Sequence, residues 1–363
     1  MSAQFNAFDR LAMARALELA ERGLTTTHPN PRVGCVIARD GKIVGEGWHE
    51  RAGEAHAEVM ALGAAGAAAA GASAYVTLEP CSHFGRTPPC ADALIQAQLA
   101  RVVFAIEDPN PQVGGRGALR LREAGIEVES GLLAREAEEL NAGFLSRMRR
   151  GRPWVRIKLA MSLDGRTALG NGLSRWITGE AARADVQKWR ARSSAILTGI
   201  GTILADDPRL DVRAAAGRHQ PLRVILDSRL RTPATARILE PPGAVLLFSA
   251  YDEPVRRRAL EERGAKIEEL AGAKLNLEHV LKRLAALEIN EVLVEAGPTL
   301  AGAILQGGFA DELLLYIAPI LLGPQARVLV QLPELIDLAH SRRFTIIDTH
   351  KIEPDLRLRL RPT

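Results

Sequence analysis

Residues 74–106 read AYVTLEPCSHFGRTPPCADALIQAQLARVVFAI. The segment opens on a strand-like run, Ala74–Leu78, that halts at Glu79-Pro80-Cys81, and it closes on a second such run, Arg101–Ile106. Between them Cys90–Ala100 reads as a helix, and Pro88-Pro89 just ahead of it is a first-turn signal because proline lacks only an N–H that a helix start leaves unpaired anyway. Strand, loop, helix and strand in succession are the unit of a layered α/β fold with a largely parallel sheet.

The same alternation extends in both directions. Upstream, Phe5–Leu19 has the apolar spacing of an amphipathic helix, and the strands Val33–Ala38 and Lys42–Trp48 meet at Asp40-Gly41, a favoured two-residue hairpin turn. A helix begins near His56. Downstream come a helix near Gly117–Glu123, a strand at Ile126–Glu129 and a helix from Ala134 to about Met148. The segment Arg147–Pro153 is basic, contains glycine and proline, and marks a domain boundary; 363 residues suit two domains better than one. Beyond it the spacing predicts strands at Trp154–Met161, Ala195–Thr198, Leu222–Asp227, Ala244–Ser249, Lys266–Leu270, Glu291–Glu295 and Glu312–Ile317. Helices are expected at Gly179–Arg192, Pro254–Arg263, Leu277–Leu287 and Thr299–Leu305. The expectation is two different α/β modules, residues 1–148 and 153–363, with no period relating them.

Composition narrows the function classes. Lys and Arg number 47 against 43 acids, and a formal charge of +4 is too weak a field to argue for nucleic acid. The densest basic run, Arg147, Arg149, Arg150 and Arg152, reads as a solvated helix end or linker. No signal peptide is visible, and no apolar run approaches the ~18 residues of a membrane span, so neither lipid nor nucleic acid is an expected partner. The Ala/Gly-rich stretch Ala61–Ala74 reads as tight helix packing. Three cysteines, Cys35, Cys81 and Cys90, point to reduced thiols in the cytoplasm, with Cys35 a small buried hydrophobe in the run Val33–Ile37.

Chemistry concentrates at His56-Ala57-Glu58, Pro80-Cys81 and Cys90. Taken singly, His56 reads as a helix-capping or surface histidine and either cysteine as core. Jointly, one imidazole and two thiolates, two of the three at helix starts, make a tetrahedral Zn²⁺ site with one open position, which catalysis requires and a structural zinc site would fill. Water in that position has its pKa lowered from about 15.7 towards 7, and Glu58, beside a ligand without being one, is placed to carry its proton to a departing amine. The zinc-deaminase signature is H-x-E followed by P-C-x-x-C. Here eight residues separate the cysteines instead of two.

That widened loop, Cys81-Ser82-His83-Phe84-Gly85-Arg86-Thr87-Pro88-Pro89-Cys90, resembles the deaminase of riboflavin biosynthesis, as do Thr27-His28-Pro29-Asn30-Pro31-Arg32-Val33-Gly34-Cys35-Val36-Ile37 and Ala55-His56-Ala57-Glu58. The resemblance implies a cytidine-deaminase-like fold, a pyrimidine bearing a phosphorylated ribose as substrate, and contact of Asn30 with its ring; His83 and Arg86 either touch that substrate or order the loop.

In the second half Leu163-Asp164-Gly165-Arg166 reads as a turn, and Gly199-Ile200-Gly201-Thr202 is a weak G-x-G. Val294-Glu295-Ala296-Gly297-Pro298-Thr299-Leu300 is stronger, a strand end feeding a helix start that aims N–H groups at an anion. No G-x-G-x-x-G follows the first strand, which counts against an ordinary dinucleotide fold. These segments resemble the reductase domain of bifunctional riboflavin-biosynthesis enzymes, whose fold is similar to dihydrofolate reductase, and the match runs over essentially the whole chain in deaminase-then-reductase order.

The resemblance implies NADPH contacts at Ala160, Trp176, Thr202, Asp206, Ser228, Gly297, Pro298, Thr299, Leu300, Ala301, Gly302 and Ala303. For substrate it implies Ser174, Arg190, Leu210, Arg213 and Glu295, the two arginines suiting a ribose 5-phosphate because guanidinium forks match phosphate oxygens. Ser228 would meet the cofactor's 2′-phosphate, Met161 either narrows the nicotinamide pocket or packs in the core, and Asp206 and Lys158 are candidate proton donors. The reading that follows is a bifunctional enzyme with one Zn²⁺ per chain and NADPH. It would hydrolyse the 2-amino group of 2,5-diamino-6-ribosylamino-4(3H)-pyrimidinone 5′-phosphate and then reduce the ribosyl side chain to ribityl. The base-rate expectation for assembly is a homo-oligomer, a dimer first. Two rivals remain at this stage: a nucleobase, nucleoside or tRNA deaminase with a non-catalytic second domain, and a zinc-stabilised regulatory protein with a fourth protein ligand.

Overall fold

In the computed structural model, residues 5–82, 88–110, 114–174, 176–213, 220–272 and 274–363 are described. The chain divides into two compact units between Gly151 and Arg152.

The first unit holds α1 (Ala7–Glu21), β1 (Gly34–Arg39), β2 (Lys42–Trp48), α2 (Ala57–Ala65), β3 (Ser73–Val76), α3 (Cys90–Gln96), β4 (Arg101–Phe104), α4 (Arg116–Glu123), β5 (Glu127–Ser130), α5 (Ala134–Leu140) and α6 (Ala142–Arg150). Its sheet runs β2-β1-β3-β4-β5. Pairing is parallel from β3 through β5, but β1 is antiparallel to both β2 and β3, so the sheet is mixed rather than largely parallel. The reason is the hairpin: Asp40 and Gly41 both take positive φ, 51° and 71°, as a type I′ turn demands, which reverses the chain without a crossover helix.

Alternation along β1 feeds two cores. Cys35 and Ile37 pack with Ala57, Ala61 and Leu94 under α2 and α3, while Val36 packs with Met13, Leu19 and Phe144 under α1 and α6. The Ala-rich face of α2 lies directly on β2. A Cβ built on Gly45 would sit 2.3 Å from the Ala61 carbonyl, and one on Gly47 2.4 Å from that of Ala57, so only glycine permits this approach.

The single helix expected from Ala134 to Met148 is two, broken at Asn141. The Asn141 amide bonds the backbone of Arg32 on both sides, accepting from its N–H at 2.8 Å and donating to its C=O at 2.9 Å. A partner 109 residues away is what ends the helix there.

The second unit holds β6 (Trp154–Ser162), β7 (Arg166–Ala168), α7 (Glu180–Arg192), β8 (Ala195–Gly199), α8 (Ile200–Asp206), β9 (Leu222–Leu226), β10 (Val245–Ser249), α9 (Pro254–Glu261), β11 (Ala265–Glu269), α10 (Leu277–Ala286), β12 (Glu291–Val294), α11 (Pro298–Gln306), β13 (Glu312–Ala318), β14 (Arg327–Val328), β15 (Phe344–Ile352) and β16 (Asp355–Pro362). Its nine-stranded sheet, β11-β10-β9-β8-β12-β6-β13-β16-β15, is parallel as far as β13 and antiparallel over the last two strands.

The β15–β16 hairpin has no counterpart in the sequence reading, although Leu356, Leu358 and Leu360 alternate with arginines in strand period. Those arginines have partners. Glu312, fully buried, pairs with Arg156 at 2.7 Å and Arg359 at 2.8 Å, and Trp189 stacks 4.6 Å beneath the Arg156 guanidinium. No described helix is long and apolar enough to cross a membrane.

Candidate active sites

His56 is the N-cap residue of α2, yet its ring makes no capping hydrogen bond. It turns instead towards two sulfurs, with Nδ1 3.1 Å from Cys90 Sγ and 3.6 Å from Cys81 Sγ. Cys90, fully buried, opens α3, and its backbone N–H donates to Cys81 Sγ at 3.3 Å. The three ligand atoms lie within 4.8 Å of one another. A tetrahedral zinc with Zn–S near ~2.3 Å and Zn–N near ~2.1 Å separates its donors by roughly 3.5 to 4 Å, so the set fits that ion.

Glu58, 3% exposed, lies in the first turn of α2 beside this cluster. Burial, with the neighbouring Cys81 charge second, pushes its carboxyl up to about 7. The hydrogen bond between the two cysteines lowers Cys81 and raises Cys90, while the bond to Cys81 raises His56. A buried carboxyl that holds or releases a proton near neutral pH suits proton transfer. His83 and Arg86 lie outside the described residues.

Asn30 is half-buried, with Nδ2 3.1 Å from His49 Nε2. His49 sets its ring edge-on to that of His56, centroids 5.3 Å apart, and burial lowers its pKa.

The second unit contains a cleft of about 490 Å³. Of the expected contacts, Ala160, Ser174, Trp176, Arg190, Thr202, Asp206, Leu210, Arg213, Glu295, Gly297 and Pro298 line it, as does Lys158. Six others do not. The Ser228 carbonyl accepts from Ala250 N–H, and Thr299 Oγ1 bonds Gln331. Leu300 packs on the core, Ala301 is fully buried, a Cβ on Gly302 would meet the Gln331 carbonyl at 2.0 Å, and Ala303 lies farther along the helix. Met161 is also outside the lining.

Arg190 and Glu295, both expected to face substrate, already form a bidentate pair at 2.5 and 3.0 Å, with Arg190 also donating to the Asp211 carbonyl. Burial works to raise Glu295, but Arg190 outweighs it and holds the carboxyl below its ordinary value; burial lowers Lys158, with Glu295 opposing. Trp176 is 67% exposed and lies under the Arg183 guanidinium at 4.6 Å. Asp207 and Leu210 hold left-handed backbone, φ 41° and 47°, in the cleft wall; such strain persists only where the surroundings fix it.

Two family models match the chain. The cytidine and deoxycytidylate deaminase zinc-binding region covers residues 7–106, and the RibD C-terminal domain covers 153–358. The riboflavin biosynthesis protein RibD of Escherichia coli (strain K12) is 53% identical, covering 97% of this chain and 99% of its own, and that of Haemophilus influenzae is 47% identical over 99% of each. The chain belongs to the RibD family. The Acinetobacter baumannii RibD structure (form 1) superposes with a TM-score of 0.91 at 49% identity, over 98% of this chain and 99% of that one. A diaminohydroxyphosphoribosylaminopyrimidine deaminase/5-amino-6-(5-phosphoribosylamino)uracil reductase from Thermotoga maritima superposes with a TM-score of 0.87 at 34% identity, with the same coverage.

As a RibD protein, the chain is a bifunctional enzyme of riboflavin biosynthesis, a zinc-binding deaminase region fused to a reductase domain that acts on small molecules. In this RibD, sequence reasoning passed over Glu79, whose buried carboxylate accepts from the N–H groups of Asp108 (3.2 Å), Gly115 (2.9 Å) and Ala118 (3.0 Å). Its neighbour Pro80 touches α4 so closely that a Cβ on Gly117 would lie 1.9 Å from the Pro80 carbonyl. Together they fix the backbone that carries Cys81. The available signal was an acidic residue directly before the Pro-Cys pair.

Proposed function

We propose that His56 Nδ1, Cys81 Sγ and Cys90 Sγ hold one Zn²⁺ per chain and that Glu58 is the proton carrier of a hydrolytic deamination. The substrate would be 2,5-diamino-6-ribosylamino-4(3H)-pyrimidinone 5′-phosphate. Bound zinc supplies a Lewis acid that makes water nucleophilic at neutral pH. Glu58 carries one proton from the attacking water to the ring nitrogen and then a second from the added hydroxyl to the departing amine, so amidine and water become carbonyl and ammonia. The supporting observation is the cluster itself: three donors within 4.8 Å beside a buried carboxyl whose pKa burial pushes up.

In the second unit the cleft takes NADPH and the deaminated product. NADPH supplies the hydride that opens the ribosyl unit to ribityl. Ala160, Trp176, Thr202, Asp206, Gly297 and Pro298 border the cofactor, while Ser174, Leu210, Arg213 and the Arg190–Glu295 pair border the sugar phosphate. Exposed Arg213 is the better phosphate partner, because Arg190 is committed to Glu295. Of the two donor candidates, Lys158 is better supported, since a lysine with lowered pKa releases a proton more readily. Residues 299–303 act by shaping α11, outside the cleft lining, as Ser228 also is.

The enzyme works in the cytoplasm, where Cys81 and Cys90 stay reduced, and as a homo-oligomer, dimer first. Exposed Ile336 (96%) and Leu338 (84%) are the kind of apolar surface a second subunit covers. The test is an assay of the purified chain with the diaminopyrimidine phosphate, with and without chelator and NADPH. Ammonia release that needs metal, and NADPH oxidation that follows it, are expected; NADPH left unoxidised would refute the second step.

A further inference from the structure

The hydrogen bonds around His49 decide which arm of the Asn30 amide meets a ligand. His49 is 3% exposed, with Nδ1 3.1 Å from the Ala55 carbonyl oxygen and Nε2 3.1 Å from Asn30 Nδ2. A carbonyl oxygen only accepts, so Nδ1 carries the ring proton and Nε2 keeps its lone pair. That lone pair accepts from the Asn30 amino group, which fixes the orientation of the amide. Asn30 Oδ1 has no hydrogen-bond partner among the described residues, and Asn30 is half-exposed.

The backbone is held too. Asn30 N–H donates to the Thr27 carbonyl at 2.8 Å, and Asn141 clamps Arg32 two residues on. The His49 ring touches His56, so Asn30 stands one ring away from the metal-ligand cluster.

We propose that His49 is a positioning residue of the deamination site. By accepting from Asn30 Nδ2 it makes Asn30 present an acceptor, and the site therefore selects a heterocycle with an N–H beside the carbon that loses its amine. A 2-amino-4(3H)-pyrimidinone has that N–H at position 3; a cytosine-type ring has a bare nitrogen next to its amine-bearing carbon and would meet Oδ1 lone pair to lone pair. This rests on the deaminase reading above and adds the ring edge it recognises.

The test uses the full-length chain with zinc content, ammonia-release kinetics and NADPH-dependent reduction measured on the same preparation. His49→Phe keeps a ring against His56 but frees the Asn30 amide to flip. Its KM for the diaminopyrimidine phosphate should rise about tenfold, the scale of one hydrogen bond lost and one polar contact reversed, with kcat changed much less and zinc retained. Adding Asn30→Asp to His49→Phe should recover most of that KM, because a carboxylate presents oxygen whichever way it turns. His49→Gln, whose Oε1 also accepts from Asn30, should stay within about threefold of wild type and keeps the test alive if the Phe variant folds poorly. An unchanged KM in His49→Phe, zinc lost along with KM, or no recovery in the double variant each overturns the proposal. Absence of ammonia release from the wild type would instead sink the deaminase reading beneath it.

Discussion

The two units place their chemistry differently. In the first, the three candidate metal ligands come from two helix starts 34 residues apart and the loop end at Cys81, and each side chain is aimed by the secondary structure that bears it. In the second, the Arg190–Glu295 pair joins residues 105 apart, and the cleft draws on β6, α7, the strained wall at Asp207–Leu210 and the start of α11. A site carried on local structure announces itself in the chain as a motif. A site assembled by the sheet shows only after the strand order is known.

If the units are chemically independent, Glu58→Gln should cut ammonia release by about 10²- to 10⁴-fold, the usual cost of losing a positioned acid–base group. Zinc content and reduction of the deaminated intermediate should be unchanged. Loss of both activities together would erase the contrast.

Arg190→Ala strands a buried Glu295 carboxylate. Removing one partner of a buried pair typically costs about 3–5 kcal/mol, so the second unit should unfold at lower denaturant while the first keeps its metal. A transition shifted by less than ~1 kcal/mol would mean the pair is solvated in solution.

A smaller effect is expected in acid. Burial works to raise Glu312, but Arg156 and Arg359 outweigh it and hold the carboxyl down to about 2 against an ordinary 4.5. A folded-state value below the unfolded one gives stability that is present above pH 4.5 and lost as pH falls towards 2, roughly 3 kcal/mol in all. Denaturant titrations of wild type and Glu312→Gln should converge through that window; parallel curves would assign the acid sensitivity elsewhere. The smallest change is Asn141→Ala, which frees the Arg32 backbone at a cost of about 1–2 kcal/mol and should leave the second unit's transition untouched.

What the chain disclosed followed the same divide. The Asp40-Gly41 turn, the helix beginning at Cys90 and the parallel run of the second sheet were readable because turn chemistry and hydrophobic period are local. The antiparallel pairing of β1 with β3 was not, since the turn sets β2 against β1 but does not say which of the two lies beside β3. The break at Asn141 needed Arg32 in view. The hairpin Phe344–Pro362 went unread although Asp355–Pro362 alternates in period two, because every second position is an arginine and the Glu312 that receives them lies on another strand. Helix α8 follows what the sequence shows only as a weak G-x-G, and of the six α11 residues expected at the cofactor, Pro298 to Ala303, only Pro298 lines the cleft, because one face of the helix packs into the protein.

Gly45 and Gly47 contribute no atom to any reaction, yet α2 rides directly on the bare backbone they leave. The height of that helix above the sheet sets where His56 stands relative to the two sulfurs on the neighbouring segments. Two absent methyl groups on an outer strand thus act as the shim that keeps the three donors within one ion's reach.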